Sequence, residues 1–300
     1  MSNKPAIGWI GAGRMGVAMA GFILKAGYPV KVYSRTAASR QKLVALGAAE
    51  VLSVAQCARG SDIVFSCVSD DAALREVALG GDGVLANAKP GAIFAEMSTV
   101  SSEVSAEVAR AARERGVPYL RLPISGNAAS AIKGEVTVMA SGPEEAWARV
   151  KPVAQTFSKG QIYLGAAEEA RVMKLVVNSM VVTMAQGMAE ALTLGRKAGL
   201  DWNTMLDTLG QSTISSPWLR AKVGLMKVRD FSPTMTSRLI MKDIDLILSA
   251  AKHNEVPMPL TCATRQLIQA LVGEGYAEED YMALIKLSEK QSGIKAGAKP

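Results

Sequence analysis

The sequence predicts an α/β N-terminal domain built on a doubly wound, mainly parallel sheet, followed by an all-α C-terminal domain. Three observations carry this. Short, continuous apolar runs alternate with helical stretches through the first half of the chain. Those runs lack the polar alternation of a half-exposed strand, so both faces of their sheet are covered, and strands separated by helices imply parallel pairing through right-handed crossovers. Beyond about residue 165 the strand signal stops and helical spacing continues nearly to the end.

In order, Ala6–Ile10 reads as a strand and Met15–Ala26 as a helix closed by Gly27. Val30–Tyr33 is the next strand and Ala37–Leu46 the next helix, closed by Gly47. Asp62–Val68 is an apolar run flanked by turn residues, and Ala92–Glu96, Tyr119–Leu122 and Val136–Ala140 follow as strands. From Glu168 to Ala198 there is no strand signal and no proline, which predicts a single helix. At about 1.5 Å per residue it would be roughly 45 Å long. Gly199 stands in the expected stop position. Trp202–Leu209, Leu219–Lys227, Ser237–His253, Leu260–Glu274 and Glu279–Ser288 continue as helices. Two domains are therefore expected, at 1–165 and 166–300, and the small, polar tail Gly293–Pro300 is expected to fray.

Composition narrows the function classes. The 300 residues are 49% apolar and 20% charged, which excludes a mostly disordered chain and suits two globular domains. Lys and Arg exceed Asp and Glu by 34 − 27 = +7, and no four basic residues are consecutive. That balance favours anionic ligands and falls short of a nucleic-acid-binding tail. Cys57, Cys67 and Cys262 are odd in number and widely spaced, which argues against a disulfide framework or a zinc site and fits a reducing cytoplasm. His253 is the whole histidine supply, so one chain cannot build a two-histidine mechanism or metal site, and no metal is expected. Met1-Ser2-Asn3-Lys4-Pro5 lacks the apolar stretch of a signal peptide. The weakly polar run Leu175–Ala189 is 15 residues long and includes Asn178, Ser179, Thr183 and Gln186. A membrane span needs about 20 apolar residues, so this run predicts a buried helix.

Gly11-Ala12-Gly13-Arg14-Met15-Gly16 follows an apolar strand and opens a helix. In that context G-x-G-x-x-G is the fingerprint of a Rossmann dinucleotide site. The second glycine admits the pyrophosphate, and the helix N-terminus offers free N–H groups and partial positive charge. The second strand of an NAD site usually ends in a carboxylate that reads the ribose. Here Ser34-Arg35-Thr36 stands in its place. A guanidinium suits a 2′-phosphate, and flanking hydroxyls add donors, so NADP(H) is expected ahead of NAD(H).

Lys174 lies among Val172, Met173, Leu175, Val176 and Val177, and Asn178 shares its helix face one turn on. A lysine in such company either snorkels to water or is held for proton transfer, since burial lowers a lysine's pKa toward a useful range. The local residues leave both readings open.

Taken together, Gly11–Gly16 and Lys174–Asn178 resemble the β-hydroxyacid dehydrogenase family, which includes 3-hydroxyisobutyrate dehydrogenases and tartronate semialdehyde reductases. The similarity covers nearly the whole chain. The extended opening from Ile10 through Met19-Ala20, Leu24 and Ala26-Gly27 is far more specific than a bare glycine triplet. The resemblance implies a 6-phosphogluconate dehydrogenase-like two-domain build with a cleft bridged by the long helix. It implies that Val68, Ser69 and Thr99 touch the cofactor, that Lys174 exchanges the proton, and that Lys242 of Lys242-Asp243 closes over the cofactor. Pro123-Ile124-Ser125-Gly126-Asn127 resembles the segment that binds the substrate carboxylate through hydroxyl and backbone N–H groups. Asn127 replaces the family's second glycine there, so a 3-hydroxy amino acid or an unusual hydroxyacid or semialdehyde becomes a plausible substrate.

The expectation is hydride exchange between NADP(H) and a small carboxylate-bearing hydroxyacid or aldehyde, with Lys174 as acid–base and Asn178 as orienter. Ser125 and Gly126 would hold the carboxylate, with Asn127 tuning specificity. Neither nucleic acid nor membrane is expected as a partner, and a homodimer or homotetramer burying the long helix is. Two alternatives remain, an imine reductase on the same scaffold and a non-catalytic dinucleotide-binding scaffold protein. The Met173, Met180, Met184, Met188 series is read as packing, Trp218 as packing or the mouth of a cleft, and Tyr119, Tyr163, Asp70 and Asp71 as fold and surface. His253 is read as a helix-end residue and Cys67 as an inert thiol.

Overall fold

The computed structural model describes residues 4–294, so residues 1–3 and 295–300, including most of the tail expected to fray, lie outside the described residues. The described chain falls into two units that divide between Leu175 and Val176.

The first unit carries nine strands: β1 (Ile7–Ile10), β2 (Val30–Tyr33), β3 (Ala49–Glu50), β4 (Ile63–Ser66), β5 (Ile93–Glu96), β6 (Tyr119–Arg121), β7 (Ile124–Ser125), β8 (Val136–Ser141) and β9 (Ser158–Gly165). Between them lie α1 (Arg14–Lys25), α2 (Ala37–Val44), α3 (Val54–Ala58), α4 (Asp71–Leu79), α5 (Val84–Asn87), α6 (Ser102–Glu114), α7 (Ala128–Ile132) and α8 (Glu144–Ala154). The sheet order is β3-β2-β1-β4-β5-β6-β8-β7, with β9 pairing β8. Pairing is parallel from β3 to β6, antiparallel for β6–β8 and β7–β8, and parallel again for β8–β9.

The central strands are buried on both faces, as their continuous apolar runs require. Ile7 and Trp9 point into one apolar layer with Phe65, Ile93, Met19 and Phe157; Ile10 points into the other with Val64, Phe94, Leu74 and Val104. Trp9 and Phe65 are register neighbours with ring centroids 5.4 Å apart, and Phe157 meets both rings edge-on. β1 has β2 on one side and β4 on the other, so chain order reverses there, and the C-terminal ends of β1 and β4 flank the crevice where doubly wound sheets bind ligands.

Three strands carry no clear signal in the sequence. β3 and β7 have two residues each. β9 is mostly half-exposed, contains Gly160 against Thr137, and holds its pairing across two register irregularities. Its extended form comes from long-range pairing with β8 rather than from apolar patterning.

The second unit is helical. α9 (Glu169–Lys197) starts in the first unit and continues into the second, followed by α10 (Trp202–Gln211), α11 (Pro217–Lys227), α12 (Ser237–His253) and α13 (Pro259–Gly273). The helix expected over Glu279–Ser288 is instead a 3₁₀ turn, Tyr281–Ala283, running into α14 (Leu284–Gln291). The Asp280 carboxylate explains the break, because it accepts from Lys222 Nζ (2.8 Å), Thr234 N and Oγ1, and Met282 N. Burial lowers the Lys222 pKa, and the attraction of Asp280 offsets only part of that. Glu289 forms a second hub, accepting from both Arg196 and Arg229.

α9 buries one stripe: Arg171, Lys174, Leu175, Asn178, Val182, Ala185, Ala189 and Leu192. Its length and mean hydropathy would suffice to cross a membrane, but only a third of its apolar window is buried, so the run Leu175–Ala189, expected as a buried helix, is covered on one stripe and exposed at Val176 and Met180. Met188 belongs to the core, Met184 is half-buried, and Met173 and Met180 are exposed, so only part of the methionine series packs internally. Trp218 packs on the second unit's core and donates its indole N–H to the Tyr281 hydroxyl at 3.0 Å.

Candidate active site

The turn after β1 is built by close contacts. Gly11 has φ +99°, and a Cβ on it would lie 2.2 Å from the Cys67 carbonyl oxygen. A Cβ on Gly16 would lie 2.1 Å from the Gly11 oxygen. The buried Trp9 indole donates to that same oxygen at 3.0 Å and so fixes the turn. Gly13 is different: it is exposed, and a Cβ there would meet nothing within 4 Å. The protein's own packing therefore explains two of the three glycines and leaves open space at the third. Gly13 caps α1 without a side-chain bond, and the first turn has no acidic residue. The N-terminal end of α1 and the open space beside Gly13 fit a dinucleotide pyrophosphate. Ala12 is buried, Met15 half-buried and Arg14 exposed.

At the end of β2, Ser34 is half-buried while Arg35 and Thr36 are exposed. Thr36 caps α2 without using its side chain, and no carboxylate lies in α2's first turn. Arg40, which no local pattern marks, holds this loop. Its guanidinium donates to the Ser34 and Arg35 carbonyls and pairs with Glu50 at 2.7 Å. The backbone around Arg35 is thus tethered while its side chain faces solvent.

Two further loops leave the sheet at the same edge. After β4, Val68 N donates to Ser98 Oγ at 2.7 Å, which ties that loop to the one after β5 that carries Thr99. Ser69 is exposed and donates its hydroxyl to Asp70, the N-cap of α4. Asp71 accepts from Ser101 N, so the acidic pair holds loops together. Burial pushes the Cys67 thiol up to about 12, which suits an unreactive group.

The Ser125-Gly126-Asn127 segment spans the end of β7 and the start of α7. Gly126 has φ +139°, and a Cβ there would press on Val136 at 2.9 Å. The Asn127 side-chain oxygen accepts from Ser130 N at 3.1 Å, so this residue caps α7 as well as departing from the family pattern.

Lys174 and Asn178 lie one turn apart on the buried stripe of α9, at 9% and 6% exposure. Asn178 Nδ2 donates to Asp243 Oδ2 at 2.7 Å, and Lys242 Nζ lies 3.0 Å from Asp243 Oδ1. Asp243, itself buried, therefore orients Asn178 and holds Lys242. Asp243 stands among the buried apolar residues of α12, and a carboxylate on such a face is the local signal for its role. Among the described residues, no cluster of metal-ligating side chains is found.

Known proteins resemble this chain over nearly its whole described length. Residues 6–165 match the NAD binding domain of 6-phosphogluconate dehydrogenase, and residues 169–288 match the NAD-binding domain of NADP-dependent 3-hydroxyisobutyrate dehydrogenase. The chain belongs to the β-hydroxyacid dehydrogenase family. It is 32% identical to the 2-(hydroxymethyl)glutarate dehydrogenase of Eubacterium barkeri, over 98% of each chain. It is 30% identical to the NAD-dependent L-serine dehydrogenase of Pseudomonas aeruginosa, over 96% of this chain and 99% of that one. The crystal structure of 3-hydroxyisobutyrate dehydrogenase from Salmonella typhimurium superposes with TM-score 0.86 at 28% identity, covering 94% and 99% of the two chains. An imine reductase from Pseudomonas sp. shares the fold more distantly, at 20% identity and TM-score 0.62. The family member described here is an NAD(P)-dependent oxidoreductase of the hydroxyacid dehydrogenase class.

Proposed function

We propose that this dehydrogenase interconverts a small 3-hydroxyacid, or a 3-hydroxy amino acid, with its semialdehyde or keto acid, and that it prefers NADP(H). The observation that carries the reading is the buried stripe of α9, where Lys174 precedes an Asn178 whose amide is locked by Asp243. A bound nicotinamide supplies or accepts the hydride. Lys174 takes the alcohol proton in oxidation and returns one to the carbonyl oxygen in reduction. Its ammonium also stabilises negative charge developing on that oxygen. Asn178 orients the reacting groups, with its rotamer held from behind by a carboxylate. Ser125 and the backbone at Gly126 hold the substrate carboxylate, and the Asn127 side chain narrows the space beside it.

Cofactor preference rests on Arg35, an exposed guanidinium on a tethered loop that carries no carboxylate of its own. Serine as a substrate class is supported by the L-serine dehydrogenase relative and by the polar Asn127 side chain. The exposed apolar face of α9, with Val172, Val176, Met180 and Leu194, supports assembly into a homodimer or homotetramer, which light scattering will read.

The test is a screen of NADP⁺ reduction across 3-hydroxyacids and 3-hydroxy amino acids, beside NADPH oxidation with small aldehydes. Lys174→Ala is expected to lower kcat by orders of magnitude and leave NADPH affinity intact. Near-normal turnover in that variant, or activity confined to imines, would remove the proposal.

A further inference from the structure

A buried charged network joins the lysine helix to the cofactor loops, all within the first unit. Glu96, the last residue of β5, is fully buried, and Arg171 is 1% exposed. Glu96 Oε1 accepts from Ser98 N at 2.6 Å, and Oε2 accepts from Arg171 Nη2 at 2.5 Å. Arg171 Nη1 donates to the Ser98 carbonyl, which closes a ring of three residues. Tyr119 OH accepts from the same guanidinium at 3.4 Å, and Ser98 Oγ takes Val68 N, so the loop after β4 is joined to the ring.

We propose that Glu96 and Arg171 are positioning residues for the dehydrogenase reaction: their buried pair locks the loops carrying Val68 and Thr99 to the first turn of α9, and so sets where the Lys174 ammonium stands relative to the nicotinamide. Arg171 precedes Lys174 by three residues on the same stripe, a rise of about 4.5 Å. Anchoring the helix backbone at Arg171 therefore anchors the backbone that carries Lys174. Stability alone accounts poorly for the pair. A buried ion pair is often no more stabilising than apolar side chains of similar volume, and here Arg171 Nε is buried with no hydrogen-bond partner. What two fixed charges supply is geometry, since a planar guanidinium serves the Glu96 carboxylate and the Ser98 carbonyl in one orientation only. Burial alone would lower the Arg171 pKa, but Glu96, together with Tyr119 and Glu168, more than offsets it and holds the guanidinium charged.

The inference rests on Lys174 as the acid–base group, so the experiment tests the two separately. Three variants are compared with wild type: Arg171→Lys, the neutral double variant Glu96→Gln with Arg171→Met, and Lys174→Ala. Each is measured for Tm, for NADPH Kd by fluorescence, for kcat, and for the primary isotope effect with 4-deuterated NADPH. The double variant is expected to fold and to bind NADPH within about threefold of wild type. Its kcat should fall by on the order of 10²-fold, the cost of roughly 1 Å of misplacement at a reacting centre. Its isotope effect should rise as hydride transfer becomes limiting. Should the double variant fail to fold, Arg171→Lys carries the test, because it keeps the charge and loses the planar fork. A folded brace variant with kcat within twofold of wild type overturns the inference, and so does a fall in kcat matched by an equal loss of NADPH affinity. If Lys174→Ala is inactive while the brace variants are unaffected, only this inference fails. If Lys174→Ala keeps its turnover, the acid–base reading fails and the positioning role fails with it.

Discussion

Replacing Gly13 and Gly16 one at a time separates a glycine that serves a ligand from one that serves the fold. In Gly13→Ala the new Cβ meets no protein atom within 4 Å, and the native φ of −71° is ordinary for alanine. Two small terms oppose each other: lower unfolded-chain entropy contributes about 0.4–1 kcal/mol, while alanine as a helix N-cap costs a few tenths to about 1 kcal/mol. The net should lie within about 1 kcal/mol, or roughly 2–4 °C in Tm for a unit of this size. Cofactor binding has no such compensation. The methyl occupies the space above α1 where a pyrophosphate would approach. Losing one hydrogen bond from a backbone N–H to a charged group costs about 1.5–3 kcal/mol. At 1.4 kcal/mol per factor of ten, NADPH Kd should rise roughly 10- to 150-fold. In Gly16→Ala the Cβ would sit 2.1 Å from the Gly11 oxygen, so the strand–helix contact must open and both Tm and binding should fall. Differential scanning fluorimetry and NADPH fluorescence titration read the two effects. Unchanged NADPH affinity in a stable Gly13→Ala would refute the placement of the pyrophosphate over this turn.

Arg35→Ala should reduce kcat/KM for NADP⁺ by tenfold or more and leave that for NAD⁺ nearly unchanged; equal losses with both cofactors would show that the side chain does not read a 2′-phosphate. Asp243→Ala leaves Asn178 Nδ2 buried without its 2.7 Å partner. That costs about 1–3 kcal/mol of stability, and kcat should fall further than in Asp243→Asn, which keeps an acceptor; identical kcat in the two would remove the orienting role. Glu289 is held below the usual carboxylate range: burial pushes its pKa up, and hydrogen bonds from Arg229 and Arg196 more than reverse that. Its stabilisation is therefore complete above the ordinary glutamate range and lost as pH falls through its lower folded value. Wild-type Tm should drop more steeply than that of Glu289→Gln on acidification from pH 7, and parallel curves would contradict this.

The sequence by itself determined the elements whose burial is continuous or periodic. The apolar runs of β1, β4 and β5, the glycine turn opening α1, and the length of α9 were all legible, because local pattern alone specifies them. It also marked Lys174 and Asn178 as a pair on one helix face. Only the tertiary structure decided which glycines are packed against their own chain, since Gly11, Gly13 and Gly16 look alike until the Cys67 and Gly11 carbonyls are brought against two of them. The same holds for β9, whose strand form depends on β8, and for the break at Asp280, which depends on Lys222 and Thr234. Glu96 and Arg171 are 75 residues apart, as Asn178 and Asp243 are 65 apart. No local signal reports such partners, because a buried charge declares its role only when the fold supplies the opposite one.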